Sequence, residues 1–300
     1  MRSLFHVLVP VVVMLTLMSR ESNGQQQPLF SQYMFNGLVL NPAYAGSQES
    51  LSLIALTRKQ WAGFDGSPST MTLSAHTPLR NEKIALGFTF MNDQIALTSQ
   101  NGFNGIFAYR IQTGEKSTLA FGLQSGIVQV TTDNQNLLLR HSKDPSFGMD
   151  QRTLLLLNFG TGIYYYTDVF YTGLSVPQII NQEGFQRRQY FYTAGYVFTV
   201  SPDVKLKPST LIKIMSGVPA QVDLNANALF CEVLWFGVSY RSFSSLTFLT
   251  QIQVTDQLRI GYSYDNPVNR LKAVLNGSHE FVLTYNCTFF GSNIVSPRYF

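Results

Sequence analysis

Apolar and polar residues alternate with a period of two in run after run of this chain, and this pattern constrains the fold more than any other feature. From Phe281 to Phe289 the odd positions are Phe281, Leu283, Tyr285, Cys287 and Phe289; the even ones are Val282, Thr284, Asn286 and Thr288. Leu258, Ile260, Tyr262 and Tyr264 alternate with Arg259, Gly261, Ser263 and Asp265, and Val222, Leu224, Ala226 and Ala228 with Asp223, Asn225 and Asn227. Nearer the other end, Ile84, Leu86, Phe88 and Phe90 are separated by Ala85, Gly87 and Thr89, and Met71, Leu73 and Ala75 by Thr72 and Ser74, with Thr70 and His76 on either side. Successive side chains of a strand point to opposite faces, so each run carries one apolar face and one polar face. The polar face holds mostly small residues, glycine and lone charges.

These runs predict about fourteen strands. They begin near Ser50, Ser69, Lys83, Thr98, Lys116, Thr153, Val169, Phe191, Asp203, Ala220, Glu232, Leu246, Gln257 and His279. Two runs are weak: Pro208 interrupts one, and Leu154–Leu157 does not alternate. The connections differ in length by side. Tight links fall at Pro78–Lys83, Gln112–Lys116, Tyr166–Asp168, Ser201–Asp203, Phe230–Glu232 and Thr255–Gln257. Between them come connections that are usually longer, at Lys59–Ser69, Asn92–Ser99, Asp133–Arg152, Pro177–Tyr190 and Asp265–Gly277. Short turns on one side and longer loops on the other are the mark of an outer-membrane barrel.

Alternation alone also suits a soluble sandwich or a lipocalin-like barrel, whose apolar face turns inward and whose charges meet water. Composition separates the two. Lys, Arg, Asp and Glu make up 13% of the chain, against roughly 25% in a soluble domain. Apolar residues stand at 45%, and mean hydropathy is only +0.04. A disordered chain would be charge-rich and poor in aromatics, whereas this one has 23 Phe and 15 Tyr. A helical membrane bundle would be far more apolar. Lipid forbids unpaired backbone polar groups, so a sheet that crosses it must close on itself. The fold class expected is therefore all-β: a transmembrane antiparallel barrel of about fourteen strands over residues 50–290, with about ten residues suiting each tilted crossing.

The first 24 residues read as an address. Arg2 supplies a positive start, Leu4 to Met18 carry no charge, and Ser22-Asn23-Gly24 place small residues where a signal peptidase reads. A run this short falls below the roughly 20 residues of a spanning helix, so a secretory signal peptide with cleavage near Gly24–Gln25 is preferred to an uncleaved anchor. No Cys follows the run, unlike in a bacterial lipoprotein. Losing Arg2, Arg20 and Glu21 takes the formal net charge from +4 to +3. The basic residues are scattered singly, which is no nucleic-acid signature. Residues 25–49 then form a short N-terminal segment, periplasmic or plugging the lumen, and residues 291–300 a tail. Of the two cysteines, Cys231 and Cys287, the second falls in an alternating run and is expected to be buried.

Catalytic constellations are missing. His76 lies on a polar strand face, His141 in the longest loop and His279 at a strand start, with no partner at metal-ligand spacing. His141-Ser142-Lys143-Asp144 reads as a solvated loop. His279-Glu280 matches a zinc motif in two letters only. Gly102-Phe103-Asn104-Gly105 and Gly160-Thr161-Gly162 sit in strands, where glycine lets a neighbouring backbone approach, rather than in phosphate-binding turns. No enzymatic activity, metal or cofactor is expected. The aromatic groups Tyr164-Tyr165-Tyr166, Tyr190-Phe191-Tyr192 and Tyr262/Tyr264 read better as an interfacial girdle than as a ligand ladder.

The stretch before the first strand is the most distinctive. Phe30-Ser31-Gln32-Tyr33-Met34-Phe35-Asn36 and Asn41-Pro42-Ala43-Tyr44-Ala45-Gly46 mix apolar anchors with a turn-initiating Asn-Pro. With Arg58, Gln60-Trp61 and Pro68 they carry a resemblance that continues downstream. Its later parts are Phe159–Tyr166, Tyr171-Thr172-Gly173-Leu174-Ser175-Val176-Pro177, Gly261-Tyr262-Ser263-Tyr264-Asp265, Gly277-Ser278-His279-Glu280 and the closing Ser296-Pro297-Arg298-Tyr299-Phe300. Collinearly over essentially the whole mature chain, the sequence resembles the PorP/SprF family of Bacteroidota outer-membrane proteins, linked to type IX secretion and gliding motility. Gly37 is one departure, at a position where Pro or another residue is expected.

The resemblance implies an outer-membrane protein that supports export or surface attachment of type IX cargo, often a large adhesin. It also implies possible periplasmic ring and lipoprotein partners of the secretion machinery. The expected partner-binding residues are Phe30, Ser31, Gln32, Tyr33, Asn36, Asn41, Pro42, Tyr44, Gly46, Arg58 and Trp61. The longer loops, above all Asp133–Arg152 and Pro177–Tyr190, would add contact surface. The alternative is a pore or transporter for small solutes, with Arg110, Lys213, Arg241 and Arg259 as lumen-facing basic residues.

Overall fold

The computed structural model of the chain describes residues 30–133, 152–181, 187–269 and 276–287. The expected signal peptide, the C-terminal tail, His141 and much of the loops at Asp133–Arg152 and Pro177–Tyr190 lie outside the described residues. Fifteen strand segments follow in order: β1 (Leu51–Lys59), β2 (Ser69–Pro78), β3 (Ile84–Ile95), β4 (Thr98–Gly114), β5 (Ser117–Thr132), β6 (Arg152–Thr167), β7 (Phe170–Val176) and β8 (Gln189–Tyr196); then β9 (Phe198–Ser201), β10 (Val204–Met215), β11 (Val218–Phe230), β12 (Leu234–Arg241), β13 (Ser245–Gln253), β14 (Leu258–Pro267) and β15 (Ser278–Cys287). Each pairs antiparallel with its neighbours, and β15 pairs with β1 from Leu51↔Cys287 to Lys59↔His279, which closes the ring.

The segments β8 and β9 form one interrupted stave, since both pair with β10. The barrel therefore has fourteen staves. Every expected strand start lies within two residues of an observed one. The interruption has a cause in the sequence: β8 pairing stops at Ser209↔Gly195 and β9 pairing resumes at Leu206↔Phe198, which brackets Pro208. Proline has no N–H to give to a ladder.

The alternation is inside-out relative to a soluble protein. Phe281, Leu283 and Tyr285 on β15 point outward and are exposed, while Val282, Thr284 and Asn286 point inward and are buried. Leu155, Leu157, Phe121, Leu123, Phe103 and Phe107 continue the exposed apolar band, and Arg58, Asp93, Arg110, Asp223, Asp265 and Glu280 are buried inside. A lipid-facing wall and a polar interior are the arrangement a membrane barrel requires.

Four expectations change in detail. The Asn92–Ser99 connection is a two-residue hairpin, because β3 and β4 run on through Asn92↔Asn101 to Ile95↔Thr98. The tyrosine groups split between faces, since a period of two cannot keep three consecutive rings together. Tyr165, Tyr190 and Tyr192 look outward, whereas Tyr164, Tyr166 and Phe191 are buried in the lumen. Cys287 is only half-buried, the last residue of β15 and in phase with its outward-pointing side chains, and Cys231 is exposed in a turn. Leu154–Leu157 does form strand, with Leu155 and Leu157 outward and Leu154 and Leu156 half-buried.

Candidate functional site

The interior of the barrel is occupied by the chain's own N-terminal stretch. From Phe30 to Ser47 every residue except Gly37 and Val39 is buried. Three short 3-10 turns, Tyr33–Phe35, Gly37–Val39 and Pro42–Tyr44, fold it compactly. The last turn follows from its sequence. Pro42 begins it with a preset φ and no N–H to satisfy, and the Asn41 Oδ1 accepts the Ala43 N–H at 2.9 Å.

Polar contacts hold this segment at both ends. At its start the Glu280 carboxylate accepts the Ser31 N–H at 2.9 Å and the Gln32 N–H at 2.7 Å. Arg58 bridges Glu280 at 2.9 Å and Asp265, and donates to the Ser31 Oγ. The Ser31 hydroxyl donates to Asp265 at 2.7 Å, as does that of Thr247. Arg241, paired with Asp223 at 2.9 Å, donates to the Phe30 carbonyl. All these charged groups are buried, so each depends on its partners for stability. Further along, the Asn41 Nδ2 donates to the Ile163 carbonyl at 3.0 Å, and the Ser175 hydroxyl to the Leu40 carbonyl at 2.6 Å. The His76 Nδ1 accepts the Gly46 N–H at 3.0 Å. Arg110 reaches the Tyr166 hydroxyl at 2.6 Å.

Between these ends the packing is apolar. Tyr33, Met34, Phe35 and Leu40 meet Phe191, Leu211, Leu229, Trp235 and Leu249 of the inner wall. Burying such a side chain contributes about 1.5–3 kcal/mol. The fully buried Lys207 ammonium lies 5.7 Å from the Phe35 ring, 5.5 Å from Tyr171 and 5.9 Å from Trp235, within cation–π range. The Tyr33 hydroxyl accepts from Asn225. Burial, with Tyr171 and Asp223 nearby, pushes its pKa well above the ordinary value, so it stays neutral.

Two strand glycines make room for the segment. A Cβ on Gly122 would lie 2.1 Å from the Ala43 nitrogen, and one on Gly162 would lie 2.0 Å from the Asn41 Oδ1. Gly122→Ala is accordingly expected to cost about 1–3 kcal/mol, the range for overpacking. The midpoint of urea-induced loss of the folded band on unheated gels reads this out. An unchanged midpoint would mean that the segment does not press on β5.

The residues singled out from sequence separate by position. Phe30, Ser31, Gln32, Tyr33, Asn36, Asn41, Pro42, Tyr44, Gly46 and Arg58 are all buried in the lumen, while Trp61 sits half-buried in the β1–β2 connection with φ 48°. Arg110, Lys213, Arg241 and Arg259 are buried on the inner wall. The inner-wall partners Asp265, Glu280, Ser175, His76 and Lys207 were not singled out as site residues. Their signal was present in the out-of-phase apolar residues Leu211, Leu229, Trp235 and Leu249, which occupy the face otherwise given to polar groups. Such residues need apolar cover inside.

A family model described as type IX secretion system membrane protein PorP/SprF matches residues 22–285. No curated protein matches the chain. Among solved structures, the CymD monoaromatic hydrocarbon channel is similar at 13% identity over 90% of this chain and 96% of its own, with a TM-score of 0.49. Omp33 of Acinetobacter baumannii is similar at 8% identity over 80% and 99%, with a TM-score of 0.48. A FadL homologue of Pseudomonas aeruginosa is similar at 11% identity over 90% and 96%, with a TM-score of 0.45. At these identities and scores, nothing about what those barrels carry passes to this chain.

Proposed function

Because the chain belongs to the PorP/SprF family of type IX secretion system membrane proteins, we propose that it is a non-enzymatic outer-membrane barrel that handles proteins rather than solutes. It supports secretion of a partner cargo and retains that cargo, a gliding-adhesin-like protein, at the cell surface. Residues 1–24 act as its signal peptide and residues 25–49 as a plug.

One observation carries this reading: the lumen is filled by the chain's own residues 30–47, anchored by a buried Arg58–Glu280–Asp265 network. A barrel so occupied offers its loops and its mouth to partners rather than a channel to solutes. Outer-membrane barrels put their short turns in the periplasm. On that rule the connections at 60–68, 133–151, 177–188 and 268–277 face outward and would meet cargo, while the turns at 79–83, 115–116, 168–169, 202–203, 231–233 and 254–257 would meet periplasmic components of the secretion machinery.

The test is deletion of the gene, followed by assay of every type IX substrate for secretion and surface display. Loss of display of at least one substrate is expected; unchanged display of all of them would sink the proposal. A second reading, a pore or transporter, draws on a cavity of about 70 Å³ beside the plug, lined by Phe30, Gln124, Asn158 and Gln189 among others. That volume suits a few water molecules. Transport would require the plug to move.

A further inference from the structure

The wall of the barrel is uneven at β6. On one side β6 pairs with β5 along its whole length, from Thr132↔Arg152 to Ser117↔Thr167. On the other side β7 covers it only from Thr161 to Tyr166. Above that, a single backbone bond follows, from the Ile179 N–H to the Phe159 carbonyl at 2.8 Å. Among the described residues, no strand borders Thr153–Asn158 on this side.

The Phe159 carbonyl shows which groups face the uncovered side. In an antiparallel strand, alternate residues direct both N–H and C=O to the same neighbour. Thr153, Leu155 and Leu157 therefore present their backbone groups toward the uncovered side, while Leu154, Leu156 and Asn158 bond to β5. Leu155 and Leu157 point outward with 66% and 57% exposure. Leu157 lies opposite Ile127 in the apolar band, Leu155 opposite Gln129 and Thr153 opposite Thr131. The edge thus straddles the outer limit of the lipid-facing zone, where unpaired backbone groups are not tolerated. Sheet edges left open are usually blunted by a charge, a proline or a bulge. From Thr153 to Leu157 there is no charged residue and no proline.

We propose that the Thr153–Leu157 edge of β6 is a docking site for an extended strand of a partner protein, added to the barrel wall by backbone hydrogen bonds. The site also specifies the kind of strand. Its outward side chains would continue the apolar band beside Leu155 and Leu157. Its inward ones would lie over the cavity lined by Gln124, Asn158, Gln178 and Gln189, where small uncharged residues fit. In the sequence after Ile179, Gln182-Glu183-Gly184-Phe185-Gln186 has a glycine and an acid and so lacks that pattern. Addition of a strand to a free edge takes its affinity from the main chain and its specificity from alternate side chains. The inference is independent of which cargo the barrel serves.

Site-specific photo-cross-linking of the full chain in cells tests it, with p-benzoylphenylalanine at Leu155 and, as a lipid-facing control on β4, at Phe107. The expected product joins position 155, but not position 107, to an alternating segment of a second polypeptide. Adding Leu157→Pro should abolish that product while the barrel still folds, as shown by its migration on unheated gels, because the lost N–H faces the open side. Leu156→Pro should instead deplete the folded barrel by removing a β5 bond. Cross-links that stay within the chain, join two copies or reach only lipid would overturn the proposal. A Leu157→Pro chain that fails to fold, or one that keeps the product, would overturn it as well.

Discussion

Excising residues 30–46 while keeping every strand is expected to turn a closed barrel into a conducting one. Eight staves leave an interior that side chains alone can fill, and sixteen to eighteen leave an aqueous channel. Fourteen lie between these limits, so what closes this lumen is the segment from Phe30 onward, packed on Phe191, Leu211, Leu229, Trp235 and Leu249. The current through purified protein in planar bilayers should rise by more than about tenfold when the segment is removed. An equal current with and without it would mean that the inner wall or the loops close the pore. A large, steady and solute-selective current from the intact chain would favour the transport reading over the secretion reading.

Glu280→Ala is expected to be the most damaging single substitution in the lumen. Its carboxylate receives the backbone N–H groups of Ser31 and Gln32 and the Arg58 guanidinium, with no exposure to solvent. Removing one partner of a buried ion pair leaves the other uncompensated, at about 3–5 kcal/mol. The urea midpoint of the folded band should fall accordingly, and the plug should loosen enough to give bursts of current in bilayers. Glu280→Gln keeps an acceptor for one of the two N–H groups and should lose less. Equal midpoints for wild type and Glu280→Ala would show that Arg58 is satisfied by Asp265 alone and that the plug hangs on its apolar contacts.

The plug's partners were legible only in part. The Ser-Gln-Tyr-Met-Phe-Asn and Asn-Pro-Ala-Tyr-Ala-Gly blocks marked residues 30–46 as unusual, and the glycines of Gly160-Thr161-Gly162 read as places where another backbone comes close. At Gly160 that backbone is the Pro177 carbonyl, whereas at Gly162 the close neighbour is the Asn41 side chain. Nothing local linked Ser31 to Glu280, however, because 249 residues separate them. They lie in motifs at opposite ends of the chain. Closing the ring at Arg58↔Glu280 and Ser263↔Glu280 brings β1, β14 and β15 side by side, and only then do three distant charges meet one serine. The tyrosine triplet misled for a related reason: adjacency in sequence suggested one belt, while strand geometry divides neighbours between lipid and lumen.

The sequence by itself determined the number of staves, their phase and which face meets lipid, because a strand's faces follow from its period of two and from composition. It also placed the longest connections on one side. Only the tertiary structure decided that the lumen is filled, which charges are paired within it and where β6 outruns its neighbour. Those features depend on contacts between residues far apart in the chain, and they exist only once the sheet has closed around the segment that precedes it.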